Sequence, residues 1–418
     1  MSRVVFVCPE PLGHRNPAGV GIRFLELSRA VREDGHEVEV LSSDGGAVAG
    51  CSTAPATPEH LAAATARADV AIVQGHAAND LLAHGRPDIP IVIDLYDPYP
   101  VENFHYFAAR GAEVFEHDHA TILRSLRRGD LFLCASEAQR FFYLGMLLAT
   151  GRANPALYQH DAALESLVAI VPFGVSPWVV PQRAGFDSRE IFFGAIYDWY
   201  DPTLAVEAIE QARRTDPRLS ITFTFHPNAA TTPQSLFSRL RTNVERAGRS
   251  SFVRFEPWVP YEERRAFYDR FALALLTFRP SLETDLAMRT RMFDCFWGGL
   301  PVVSSSAGGT DPLLGRYASG TVVPTSDPAD YASAILALLS DAERYGRARE
   351  GCRRFVDDHQ WSHLAEPLLE FCRTPRRDDT AAQFAIERPA PPGKPRRLLE
   401  RLRRKVERLR PDAGGARR

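Results

Sequence analysis

No stretch of the 418-residue sequence approaches the roughly 18 consecutive apolar residues that a membrane-spanning helix needs, so a helical span is excluded. Met1-Ser2-Arg3 leads straight into the short apolar run Val4 to Cys8, which reads as a first strand and not as a secretory signal. Cysteine is sparse. Cys8, Cys51, Cys134, Cys295, Cys352 and Cys372 are scattered without CxxC spacing, which argues against a disulfide framework and suits reduced thiols in a cytosolic protein. A large charge of one sign is also missing: 50 Lys and Arg against 52 Asp and Glu give a formal charge of −2, which argues against a general polyanion binder and against nucleic acid as a partner. A G-x-G-x-x-G fingerprint is absent as well. What remains is 45% hydrophobic residues, enough for sizeable cores in two to three domains.

Those residues fall into short apolar runs of strand length separated by helical patterns, the rhythm of an α/β chain with parallel sheets. Val4 to Cys8 is followed by the loop Pro9 to Ala18, and Gly19-Val20-Gly21 then opens a helix with Phe24, Leu27 and Val31 on one face. Glycines at a helix start can present backbone N–H groups to an anion, and they equally serve a tight turn for backbone reasons alone. Glu37 to Leu41, Val70 to Val73, Ile91 to Leu95, Leu131 to Ala135 and Val168 to Val171 read as further strands. Asp94-Leu95-Tyr96-Asp97-Pro98 places two acids and a tyrosine at a strand's carboxyl end, where they could orient a ligand by hydrogen bonds; Asp before Pro is also an ordinary turn opener. His117 and His119 lie two apart on a helical pattern, so their rings point about 200° apart and do not share a metal. Residues 176 to 189 lose periodicity and read as a hinge, after which the rhythm restarts with strands at Ile191 to Gly194, Leu219 to Phe225 and Phe252 to Phe255 and a helix at Pro260 to Arg270.

Thr277 to Asp311 concentrates the polar chemistry. A strand at Ala272 to Phe278 runs into a loop carrying Glu283 and Asp285. A helix is expected next, with Leu286, Met292, Phe293, Phe296 and Trp297 on its apolar side and Arg289, Arg291 and Asp294 as its polar groups. Gly298 and Gly299 stop it, and Leu300 to Val303 returns as a strand before the small-residue turn Ser304 to Gly309. This is a βαβ unit whose loops leave the carboxyl ends of the strands, where open α/β sheets bind ligands.

The same stretch, with Gly299-Leu300-Pro301-Val302-Val303 at its end, resembles the donor site of retaining family-4 (group 1) glycosyltransferases, of bacterial surface-polysaccharide type. Cys134-Ala135-Ser136-Glu137, Pro172-Phe173-Gly174-Val175 and Asp327-Pro328-Ala329 extend the resemblance over roughly residues 1 to 373. It implies the GT-B architecture, two Rossmann-like domains facing across a cleft: residues 1–176 as acceptor domain, 190–356 as nucleotide-sugar donor domain, 357–373 as a crossover helix, and 374–418 as linker and basic amphipathic tail. The family's paired glutamates have seven residues between them. Asp294 occupies the second position and Leu286 the first, so Glu283 and Asp285 are the displaced acidic candidates. The family's cationic pair after the glycine is also replaced: Gly194 is followed by Ala195, with Tyr200 at the lysine position.

The resemblance thus implies an enzyme that moves a sugar from a nucleotide diphosphate-sugar co-substrate to a saccharide or lipid-linked saccharide acceptor, with retention and without a metal or other cofactor. Glu283 would orient the transferred sugar, Arg289 or Arg291 would hold the diphosphate with the other pairing to Asp198 or Asp285, and Asp97 would face the acceptor. Gly19, Gly21, Gly194, Trp258, Val259, Asp285 and Asp294 would hold the nucleotide sugar. The aromatic run Tyr197 to Tyr200 is either a replacement for the family's phosphate loop or an interdomain contact. A nucleotide-sugar epimerase of the same fold and a non-catalytic sugar-nucleotide-binding protein are the alternatives. Beyond these domains, nine Lys or Arg between Lys394 and Arg410, with Leu398, Leu402, Val406 and Leu409 as an apolar stripe, fit either a solvated arm or a helix lying on an anionic membrane. The latter would make a cytoplasmic enzyme peripheral at the inner face of the cell membrane.

Overall fold

The computed structural model describes residues 1–13, 19–177, 185–225, 235–260 and 263–384. The basic stretch after Lys394, His226-Pro227-Asn228, Tyr261 and the middle of the 176–189 segment lie outside the described residues.

Two wholly parallel sheets carry the chain. The first contains β1 (Arg3–Val7), β2 (Glu37–Ser42), β3 (Ser52–Pro55), β4 (Val70–Gln74), β5 (Ile91–Asp94), β6 (Leu131–Cys134) and β7 (Val168–Ile170), in spatial order β3-β2-β1-β4-β5-β6-β7. The second contains β8 (Glu190–Ala195), β9 (Ser220–Phe225), β10 (Val253–Pro257), β11 (Leu273–Leu276), β12 (Val302–Ser305) and β13 (Gly320–Val323), in order β10-β9-β8-β11-β12-β13. Helices cover both faces of each sheet, which is why the central strands are continuous apolar runs: Val70 to Val73, Leu131 to Cys134 and Leu273 to Leu276 are buried throughout. In both sheets the order reverses beside the first strand, and the crevice at that switch point is where a ligand can meet several strand ends.

Residues 359–372 return to the first domain. Phe173 meets the Trp361 ring edge-on at 4.9 Å, Val175 N donates to His359 O at 2.8 Å, and Ser2 Oγ donates to Cys372 O at 2.7 Å. The segment 357–373, expected as one crossover helix, begins with the last turn of the helix Ala342–Asp358 and continues as two short helices, Trp361–Leu364 and Glu366–Arg373. Pro367 near the start of the second has no N–H to continue the first. The six cysteines are free thiols.

Two corrections matter for the site. Ser52–Pro55 adds an edge strand that the apolar pattern did not show, because its residues are half-buried or exposed. The long helix expected across Leu286 to Trp297 is also broken. Leu282–Leu286 is a short helix capped by Ser281 Oγ, Ala287 leaves it in extended conformation, and the next helix runs Thr290–Trp297 with Arg289 outside it at φ −78°, ψ 78°. Arg289 and Arg291 therefore leave the backbone from different structures.

Candidate active site between the two sheets

A cleft of about 320 Å³ lies between the carboxyl ends of the two sheets. It is lined from the first by Gly19, Tyr96, Asp97 and Glu102, and from the second by Gly194, Trp258, Arg264, Glu283, Arg291 and Asp294. Of the residues singled out from sequence, Asp97, Gly19, Gly194, Trp258, Val259, Glu283, Arg289, Arg291 and Asp294 come together here. Two do not. Asp285 is exposed to solvent on the helix Leu282–Leu286, and Gly21 sits one turn into its helix with its N–H donated to Glu10 Oε2 at 3.0 Å.

On the first-domain side, Asp94 is not available to an acceptor. Its two oxygens take Arg23 Nε at 2.6 Å and Nη2 at 3.1 Å, and both side chains are fully buried. The Arg23 guanidinium also donates to Pro172 O and lies 4.9 Å from the Tyr96 ring, so this pair braces β5 against the helix Gly19–Glu33 and the end of β7. Asp97 is left facing the cleft, hydrogen-bonded to Glu102 at the end of the short helix Tyr99–Glu102. Burial raises the Asp97 carboxyl to about 6, with the charges of Glu283 and Asp94 pushing the same way against the Glu102 hydrogen bond. Glu102 is held well above its ordinary value, first by burial and then by Asp97.

On the second-domain side, the interrupted helix decides the chemistry. Arg289 turns inward and grips both oxygens of Glu283, at 2.8 and 2.9 Å, with its guanidinium 4.4 Å from the Phe278 ring. Its carboxylate is thus Glu283, and neither Asp198 nor Asp285. Arg291 takes the other direction. It lies 4.5 Å over the ring of Tyr200, on the loop that follows β8, and donates to Phe193 O within β8 at 3.3 Å. Gly194 makes that approach possible: its φ is +89°, and an added Cβ would stand 2.9 Å from Arg291 Nε and 2.9 Å from Phe192 Cζ. Gly194→Ala is therefore expected to displace Arg291 and to cost about 1–3 kcal/mol in backbone strain. Thermal unfolding checks it, and an unchanged midpoint contradicts it.

Asp294 is one turn further along the helix and accepts from Arg264 Nη1 at 3.2 Å. Burial raises its carboxyl, opposed by the charges of Arg264 and Arg291. The Arg264 guanidinium also lies 4.9 Å from the Trp258 ring, and Trp258 N donates to Phe225 O at 3.1 Å at the end of β9. A flat, partly apolar slot thus adjoins a carboxylate, which adjoins a guanidinium at a glycine. The aromatic run Tyr197 to Tyr200 bridges the domains: Tyr197 and Trp199 stack at 4.8 Å, and Trp199 meets His105 at 6.1 Å. Gln139 does so by hydrogen bonds, donating through Nε2 to Tyr96 O at 2.9 Å and to Leu286 O at 3.0 Å. Glu102, Arg264, Arg23 and Gln139 escaped the sequence reading. Only Glu102, shortly after a strand-end acid, carried any local signal.

Residues 188–341 match the family model "Glycosyl transferases group 1". The chain is 27% identical over 190 residues to D-inositol 3-phosphate glycosyltransferase 1 of Catenulispora acidiphila, and 26% identical over 180 residues to D-inositol 3-phosphate glycosyltransferase of Jonesia denitrificans. These alignments cover 44% and 43% of this chain, and the chain spans 43% and 41% of the relatives' lengths. Among solved structures it is similar to HepE of Anabaena in complex with UDP-glucose, at TM-score 0.65 and 14% identity, covering 90% of this chain and all of that one. It is also similar to WaaG, a glycosyltransferase involved in lipopolysaccharide biosynthesis, at TM-score 0.58 and 14% identity, covering 89% of this chain and 100% of that one. The architecture is GT-B, and residues 188–341, which match the group 1 glycosyltransferase model, supply Gly194, Trp258, Arg264, Glu283, Arg291 and Asp294 to the cleft.

Proposed function

We propose that this protein transfers a sugar, with retention, from a nucleotide diphosphate donor held by the second domain to an acceptor held by the first. The observation that carries this reading is the sequence of groups along the second domain's strand ends. Trp258 and Val259 offer a slot for a base, and Asp294 a carboxylate for ribose hydroxyls. Arg291 lies against Gly194 where a diphosphate would need positive charge. HepE in complex with UDP-glucose makes UDP-sugars the first donors to test.

In the transfer, an acceptor hydroxyl attacks the sugar's anomeric carbon as the bond to the phosphate oxygen breaks. The electron pair stays on the diphosphate, and the acceptor's proton passes to a phosphate oxygen on the same face. Arg291 stabilises the charge that grows there. Glu283, fixed in place by the Arg289 fork, orients the sugar, and Asp97 accepts a hydrogen bond from a second hydroxyl of the acceptor, which aims the attacking one. Incubation with a panel of UDP-, GDP-, ADP- and dTDP-sugars tests the class. Free nucleotide diphosphate with a glycosylated product supports transfer; an isomerised sugar nucleotide means an epimerase, and unchanged nucleotide sugar that nevertheless binds means a binding protein.

Asp294→Ala should weaken UDP binding about ten- to a hundredfold, the worth of hydrogen bonds to a charged group. Asp294→Asn, which accepts at one oxygen only, should fall between. Calorimetric titration reads both, and unchanged affinity in the alanine variant removes Asp294 from the site. For the acceptor, we propose a lipid-linked saccharide at an anionic membrane surface, supported by the basic sequence after Lys394 and by the likeness to WaaG. Among the described residues no helix is long and apolar enough to cross a membrane. Co-flotation with anionic liposomes that fails equally for the full chain and for a chain ending at Asp379 would count against that surface.

A further inference from the structure

Asp97 and Glu102 form a hydrogen-bonded carboxyl pair on the wall of the cleft, and two carboxyl groups bond side by side only when a proton lies between them. The surrounding charges favour keeping that proton. From its own strand end Asp97 faces Asp94, whose charge Arg23 neutralises through both oxygens. Across the cleft Glu283 faces both members of the pair, and Arg289, whose charge reaches Glu102, is forked onto the two Glu283 oxygens. The other titratable neighbours are Tyr96, Tyr99 and Tyr143 around Asp97, and Tyr106 beside Glu102 with Asp198 and Tyr197 behind it. A second negative charge on Glu102 would stand beside Asp97 and Glu283 without a guanidinium committed to it.

We propose that Glu102 is a positioning residue that keeps one proton on this pair, so that the acceptor half of the cleft presents a single carboxylate, Asp97, to the acceptor hydroxyl beside the reacting one. The inference rests on the transferase reading for the identity of that hydroxyl, whereas the shared proton does not. Glu102 donates to Asp97 and holds it ionised and aimed; the hydroxyl beside the reacting one donates to the other face of the same carboxylate. Losing the Glu102 proton sets two like charges against each other in the cleft, and gaining one on Asp97 removes the acceptor of the hydrogen bond.

Carboxyl carbon-13 NMR of Asp97, assigned by loss of its signal in Asp97→Asn, reads the proton directly. In the unaltered protein Asp97 should titrate near pH 6, well above an ordinary aspartate. Glu102→Ala, which deletes the donor, should raise that midpoint by roughly one unit, the worth of one hydrogen bond to a charged group. Glu102→Gln keeps an N–H donor and should hold the midpoint near its original value. UDP release from UDP-glucose should show an acid limb at the same midpoint, displaced upward in Glu102→Ala and restored in Glu102→Gln. An Asp97 that titrates in the ordinary carboxylate range, or a midpoint that both variants leave in place, overturns the proposal. Equal losses of UDP release in both variants with an unmoved acid limb also overturn it, because they mark a purely structural role. If UDP-glucose is neither bound nor turned over, the transferase reading fails, and the NMR titration still decides the shared proton.

Discussion

Arg291→Ala is expected to lower turnover of the nucleotide-sugar donor about a hundredfold or more, the cost of removing one preorganised donor from a developing oxyanion. Ala195 and Tyr200 stand where the family that the sequence resembles carries a cationic pair, so in the proposed transfer the positive charge comes from elsewhere. Arg291 reaches that place from the helix Thr290–Trp297, over the Tyr200 ring and against Gly194. Arg289 cannot serve in the same way without releasing both oxygens of a buried Glu283. Arg291→Lys keeps the charge but not the fork and should recover only part of the rate. The stability cost of Arg291→Ala should be small, because its ring contact is worth about 0.5–2 kcal/mol. Near-normal rates in Arg291→Ala beside a large loss in a folded Arg289→Ala would reverse the assignment of the two arginines.

Arg23→Ala is expected to destabilise the first domain by about 3–5 kcal/mol, because it leaves Asp94 buried and unpaired. Both side chains are inaccessible to solvent, and Asp94 has no route to water short of opening β5. The double replacement Arg23→Met with Asp94→Leu should recover most of that loss, since well-packed apolar residues often substitute for a buried pair at little cost. Urea unfolding followed by circular dichroism reads both effects. A single variant as stable as the original protein would mean that the pair is not buried as described. A double variant no better than the single would mean that the pair positions β5 in a way apolar packing cannot.

The architecture was legible because a parallel sheet covered on both faces writes its strands as unbroken apolar runs, and nearly all the strands stood out in that way. Ser52–Pro55 did not, since an edge strand with half its surface in water has no such run. Much of the cleft was legible as well, for the reason that strand ends of an α/β sheet converge: Asp97, Trp258, Glu283 and Asp294 all follow or adjoin such ends. What was not legible is whatever depends on the chain's path after a strand end. The break at Ala287 to Arg289 has no Pro or Gly to announce it, yet it sends Arg289 to Glu283 and Arg291 to Gly194. The same break leaves Asp285 outside. Asp94 and Asp97 look alike in sequence, and only the burial of Arg23 separates a structural carboxylate from one that faces the cleft. Pairings across the domains, such as Gln139 with Leu286 O and the approach of Glu283 to Glu102, leave no local trace.

The most direct test is a crystal structure of this chain with UDP bound. The diphosphate should lie within hydrogen-bonding reach of Arg291 beside Gly194, the ribose against Asp294, and the base in the slot at Trp258 and Val259. UDP bound outside the cleft, or inside it with its phosphates on the Asp97 side and away from Arg291, would contradict the assignment of the second domain as donor site.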